Sequence, residues 1–177
     1  MSKTASIALA ALLGSLAACQ GKAGPAPTEE RSPDAAPPLV ATSVKGDIYD
    51  IAEHRGEVLL VNMWATWCEP CRKELPEFAR LQRELGPQGF RVVAVNVDVR
   101  RKEPAVRKMV QELRLPFTVL LDPGNQSVMD WKVVGYPTSF VVGRDGRVLW
   151  RRDGMIFEQD EELTGVLSNA LAAGGGQ

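Results

Sequence analysis

The chain has 177 residues with 45% hydrophobic and 24% charged side chains, an ordinary globular composition that excludes wholesale disorder. Its formal charge of -1, from 21 basic and 22 acidic residues, leaves no electrostatic footprint for nucleic acid. One histidine excludes multi-histidine metal centres. Three cysteines are too few for a disulfide scaffold, and their odd number needs an explanation.

Lys3 precedes an uncharged, mostly apolar run from Ile7 to Ala18. A bilayer span takes about 20 residues, so a run this short suits a secretory signal. It ends in Leu16-Ala17-Ala18-Cys19, which resembles a bacterial lipobox. That resemblance implies cleavage before Cys19 and lipidation of its sulfur, giving a membrane anchor; the alternatives are ordinary cleavage after a small residue or an uncleaved anchor. The expected boundaries are therefore 1–18 for the signal peptide and 19–38 for a lipidated tether. Residues 20–38 hold five of the twelve prolines and few large apolar side chains. Such a composition buries too little surface to offset the entropy of ordering, so a flexible tether is expected. One folded domain follows over 39–173, with a disordered tail at 174–177.

Within that domain, Val58–Ala65 and Arg91–Val97 are nearly continuous apolar runs, as expected of strands buried on both faces of a parallel sheet. A helix is expected over about 70–85, carrying Cys71, Leu75, Phe78 and Leu85 on one side. Phe117–Leu121 is a third strand, and Val106, Met109, Val110 and Leu113 mark a helical face before it. Residues 124–131 form a short helix in this reading. Thr138–Val142 and Arg147–Trp150 flank Gly143-Arg144-Asp145-Gly146 as a β-hairpin. The last helix opens with Glu158, Asp160, Glu161 and Glu162 and buries Leu163, Val166, Leu167, Ala170 and Leu171. Strands alternating with helices give an α/β fold.

Trp67-Cys68-Glu69-Pro70-Cys71 lies where the first buried strand hands over to a helix. At a helix N-terminus a thiolate faces unpaired N–H groups and the positive dipole end, and a second thiol three residues on can resolve a mixed disulfide. Zinc would need two further ligands, with only His54 and Cys19 left to supply them. Attachment of c-type haem would need histidine where Arg72 stands. A structural disulfide is the remaining alternative to a redox pair. No metal and no cofactor is expected, and His54 is a loop residue.

Val58–Pro76, VLLVNMWATWCEPCRKELP, resembles the active-site region of the thioredoxin superfamily, and more narrowly its extracytoplasmic branch typified by TlpA and ResA. Gly135-Tyr136-Pro137-Thr138 resembles that family's cis-proline loop. The resemblance covers roughly residues 39–172. It implies a thioredoxin fold with a central mixed β-sheet flanked by helices. Cys68 is then the exposed nucleophile and Cys71 the resolving thiol of a Cys68–Cys71 redox disulfide. Trp67 covers one side of the pair, the alternative being plain packing. Pro137 is implied to be cis, leaving the Tyr136 backbone free to pair with a substrate strand; spacing alone makes it a turn residue.

Asn62 stands where cytosolic thioredoxins carry a buried aspartate, and it cannot take a proton. The ResA-like branch carries a functional glutamate where this chain has Glu74. Desolvation there would raise its pKa and suit it to exchange protons with Cys71; the alternative is a solvated glutamate paired with Lys73. Pro76 is expected to kink its helix. Glu69 adds negative charge between the cysteines, which opposes thiolate formation.

The implied activity is reduction of protein disulfides by a monomer facing the periplasm or cell exterior, fed by a membrane electron donor of the DsbD or CcdA kind. Apocytochrome c is one implied substrate; copper-site or general disulfide reduction are others. A peroxiredoxin-type peroxidase, or a non-catalytic binding module of the same fold, would be different classes, and the paired cysteines speak against the first.

Overall fold

The computed structural model describes residues 34–173. The signal peptide, Cys19, the tether up to residue 33 and the tail at 174–177 lie outside the described residues. In chain order the elements are β1 (Val40–Ser43), β2 (Ile48–Asp50), β3 (Val58–Trp64), α1 (Glu69–Leu85), β4 (Phe90–Asn96), α2 (Glu103–Glu112), β5 (Thr118–Leu121), α3 (Gln126–Asp130), β6 (Thr138–Val142), β7 (Val148–Asp153) and α4 (Glu161–Ala172). Short 3-10 turns cover Ile51–His54, Gly86–Gln88 and Arg100–Lys102.

The strands form one sheet in the order β2-β1-β5-β4-β3-β6-β7. β3, β4 and β5 run parallel, and β1, β2, β6 and β7 pair antiparallel, so the sheet is mixed. β3 is buried along its whole length because both its faces are covered. Val58, Leu60 and Trp64 pack with Leu75 and Phe78 of α1 and with Leu163 and Leu167 of α4. Leu59, Val61 and Met63 face the other layer with Leu120, Trp131 and Phe140. Each fully buried side chain of that size contributes about 1.5–3 kcal/mol of transfer free energy, which fixes the strand's register.

The β6–β7 turn is the expected one: Gly143 N–H donates to Arg147 O at 2.8 Å. Gly146 lies at φ +75°, a conformation that glycine adopts without the penalty a Cβ brings. The antiparallel β1–β2 hairpin was not among the elements expected from the sequence. Residues 34–38, assigned to the tether on composition, pair with this late hairpin instead. Ala36 N–H donates to Gly146 O and Val148 N–H to Asp34 O, at 2.9 and 2.8 Å. Their prolines conceal this pairing, because two backbone hydrogen bonds need no apolar periodicity. α1 continues through Pro76 to Leu85. No helix of the described residues is long and apolar enough to cross a membrane.

Candidate active site

β3 delivers the Ala65–Trp67 loop to the start of α1, and Cys68 is the residue that caps the helix. Cys68 and Cys71 are joined by a disulfide, S–S 2.01 Å, with Cα atoms 5.3 Å apart. Cys71 N–H donates to Cys68 Sγ at 3.2 Å, so the first sulfur takes one of the helix's unpaired donors. Pro70 stands within the first two helical positions, where its missing N–H leaves nothing unsatisfied. Cys68 is less open than expected: it is 5% exposed and Cys71 wholly buried, both packed into the core beside Leu75 and Trp64. Of the two, Cys68 is the more accessible.

Trp67 is 67% exposed and meets the Tyr136 ring edge to face, with centroids 5.9 Å apart. Tyr136 in turn packs against the cluster that contains both cysteines. The Tyr136–Pro137 peptide is cis, as the resemblance implied. Thr138 Oγ1 donates to Gly135 O at 2.8 Å and fixes the loop from behind.

Glu74 is the charged side chain buried most deeply, 1% exposed. Asn62 Nδ2 donates to its Oε1 at 2.8 Å and Ile156 N–H to its Oε2 at 2.9 Å. Burial pushes its carboxyl up to about 7, against the opposing pull of those two hydrogen bonds. The surface ion pair with Lys73 is not formed; Lys73 instead meets Glu69 at 2.9 Å. Glu69 therefore carries its charge between the cysteines in an exposed ion pair with Lys73. One turn on, Glu77 has the opposite electrostatics: its hydrogen bonds to Arg80 hold the carboxyl below the usual range. Glu77 also accepts from Gln159 N–H at 3.2 Å, so two α1 carboxylates pin the 156–159 segment.

Three contributors were not anticipated. Ser139 Oγ accepts from Asn62 Nδ2 at 2.9 Å, extending the Glu74 network into β6. Ile156 enters through its backbone, which no side-chain pattern announces. Asp98, just past β4, accepts from Thr66 N–H at 2.7 Å, from Thr66 Oγ1 at 3.1 Å and from Asn96 Nδ2 at 2.9 Å. A polar residue closing an apolar strand was the one available signal for it. His54 stacks on Tyr49 with ring centroids 4.5 Å apart and bonds to Glu57, remote in sequence from the cysteine and proline loops.

Residues 33–151 match the AhpC/TSA family. The chain belongs to that family. Among curated relatives, the thiol-disulfide oxidoreductase ResA of Bacillus thuringiensis subsp. konkukian is 32% identical over 127 residues, covering 72% of this chain and 70% of the relative. The thiol:disulfide interchange protein DsbE of Allochromatium vinosum is 41% identical over 105 residues, covering 59% of this chain and 55% of the relative. Among solved structures, a putative DsbE from Chlorobium tepidum superposes with a TM-score of 0.72 at 33% identity, over 78% of this chain and 96% of that one. The fold is the thioredoxin fold, and the ResA-like chain is a thiol-disulfide oxidoreductase with Cys68 and Cys71 paired at its helix start.

Proposed function

We propose that this AhpC/TSA-family oxidoreductase works as a reductase of extracytoplasmic protein disulfides, anchored to a membrane through lipid on Cys19. Its electrons come from a membrane thiol-disulfide transporter of the DsbD or CcdA kind, and apocytochrome c is its substrate. The observation that carries the reductase reading is the buried Glu74 one helical turn beyond Cys71, with a carboxyl poised at about 7. The resemblance to the TlpA and ResA branch, and the lipobox-like Leu16–Cys19, support the location and the substrate.

In the reduced protein the Cys68 thiolate, held by the Cys71 N–H and the helix N-terminus, attacks one sulfur of the substrate disulfide. A Cys68–substrate disulfide forms and the second substrate sulfur leaves as thiolate. Glu74 takes the proton of the Cys71 thiol. The Cys71 thiolate then attacks Cys68 Sγ, which closes the Cys68–Cys71 disulfide and releases the first substrate sulfur. Two electrons pass to the substrate, and the donor returns them by the reverse exchange. Trp67 and the cis Tyr136–Pro137 segment supply the docking surface for the substrate strand.

Trapping tests this reading. A Cys71→Ser variant expressed in cells should accumulate a mixed disulfide through Cys68, recoverable with apocytochrome c. Recovery of a copper protein, or of a diverse set, would replace the cytochrome substrate. Absence of any adduct with an intact, accessible Cys68 would remove the reductase role.

A further inference from the structure

At Trp67, the residue that precedes Cys68, lies a cleft of about 330 Å³ lined also by Tyr136, by Val97 and Val99, and by Arg101 and Lys102. Arg100, Arg101 and Lys102 form the 3-10 turn that follows β4, and all three are exposed. None meets a carboxylate within ion-pair distance among the described residues, whereas Arg80, Arg91, Arg107, Arg151 and Arg152 each do. The chain as a whole carries a charge of -1, so this concentration of unpaired cations is a local feature. Asp98 also lines the cleft, but its carboxylate is occupied by the two Thr66 donors and by Asn96. The same bonds tie the cationic turn to Thr66, two residues before Cys68, so cleft and nucleophile are held in one frame.

We propose that this cleft binds acidic residues flanking the target cysteine of the substrate polypeptide, between the Trp67 and Tyr136 rings and the Arg101 and Lys102 side chains, with Arg100 exposed on the same turn. The proposal rests on the disulfide-exchange reading above and names a substrate class for it. Trp67 adjoins Cys68 and Tyr136 adjoins the cis proline, so an occupant of the cleft touches the residues next in sequence to the nucleophile and to the proline loop. Aromatic walls offer apolar contact to the peptide backbone while the cations select its charge. Exposed charges of this kind act chiefly on encounter rate and partner choice and are screened by salt. An anionic membrane would meet the same cations, but a concave site at Trp67 fits a chain better than a planar array of headgroups.

The test uses the reduced full chain and its Arg100→Gln/Arg101→Gln/Lys102→Gln variant. Two synthetic peptides each carry one disulfide and differ only in flanking Asp-Glu or Asn-Gln residues. At low ionic strength the wild type should reduce the acidic peptide with a kcat/KM about tenfold above that for the amide peptide. The variant should lose that preference, as should the wild type in high salt. Neutral 2-hydroxyethyl disulfide should be reduced equally by both proteins, which shows that the variant is folded and active. Equal rates with the two peptides in the wild type, or a preference that survives in the variant, would overturn the proposal. So would cation-dependent binding to phosphatidylglycerol vesicles without any peptide preference. Failure of the wild type to reduce even 2-hydroxyethyl disulfide would overturn the exchange reading, and the proposal with it.

Discussion

A buried acid whose partners are an amide and a backbone N–H has no cation to hold its charge. Glu74 is in that position, with Asn62 and Ile156 as its donors. Its carboxyl therefore titrates near neutrality, where it can both accept and return a proton. Glu74→Gln keeps the hydrogen-bonding shape and removes the titration. Thiolate absorbance of the reduced protein should then show Cys71 ionising at a different pH from wild type; superimposable curves would remove the proton-exchange role. Stability provides a second readout, with a definite sign. Folded Glu74 keeps its proton up to about 7 while the unfolded carboxyl loses it near 4.5. Folding then binds extra protons in that window, so stability falls as pH rises from 4.5 to 7. A shift of this size corresponds to a loss on the order of 3 kcal/mol. Urea unfolding of the oxidised protein at pH 5 and pH 8 should show that decline in wild type and not in Glu74→Gln.

The redox loop is held by a neighbouring strand rather than by its own sequence. Thr66 gives both its donors to Asp98, which sits at the C-terminal end of β4 beside β3. Asp98→Ala leaves the Thr66 N–H and the Asn96 amide without this acceptor, at a cost of about 1–3 kcal/mol per buried group. Thermal unfolding should show the loss, and exchange with 2-hydroxyethyl disulfide should slow because Cys68 is less firmly placed. None of this could be read from the local sequence. The strand, the capping cysteine and the helix are written in periodicity and in one motif, so β3, α1, Cys68 and Cys71 were legible. Glu74 and Asn62 were legible through the resemblance to known relatives. Asp98 was not, because its partner is 32 residues away and a contact of that kind leaves no period. The β1–β2 hairpin escaped for a different reason: strands of 4 and 3 residues are too short for alternation to register.

At the scale of the whole domain, residues 34–38 matter. Residues 34–38 cover the β6–β7 turn through Ala36 and Asp34, and Trp131 Nε1–H donates to Pro38 O at 3.3 Å. A chain beginning at residue 39 leaves those groups to water, and each lost hydrogen bond is worth about 1 kcal/mol. Its Tm should lie about 6–12 °C below that of a chain beginning at residue 31, with disulfide exchange intact. An unchanged Tm would return these residues to the tether. The place where this segment meets the sheet also has a direction relative to the sulfurs. Thr138 lies opposite Met63, near the cysteines, whereas Val142 lies opposite Leu59 at the far end of β3. The leader thus joins the pole of the domain away from the sulfurs, separated from them by a seven-residue strand, about 23 Å. Under the proposal that Cys19 carries lipid, the chain from the anchor enters the domain at the pole opposite Cys68. The 15 peptide steps from Cys19 to Asp34 have a contour of at most about 54 Å, which under that proposal bounds how far the domain can stand from the bilayer. The number of residues between anchor and domain would then set which partners Cys68 can reach.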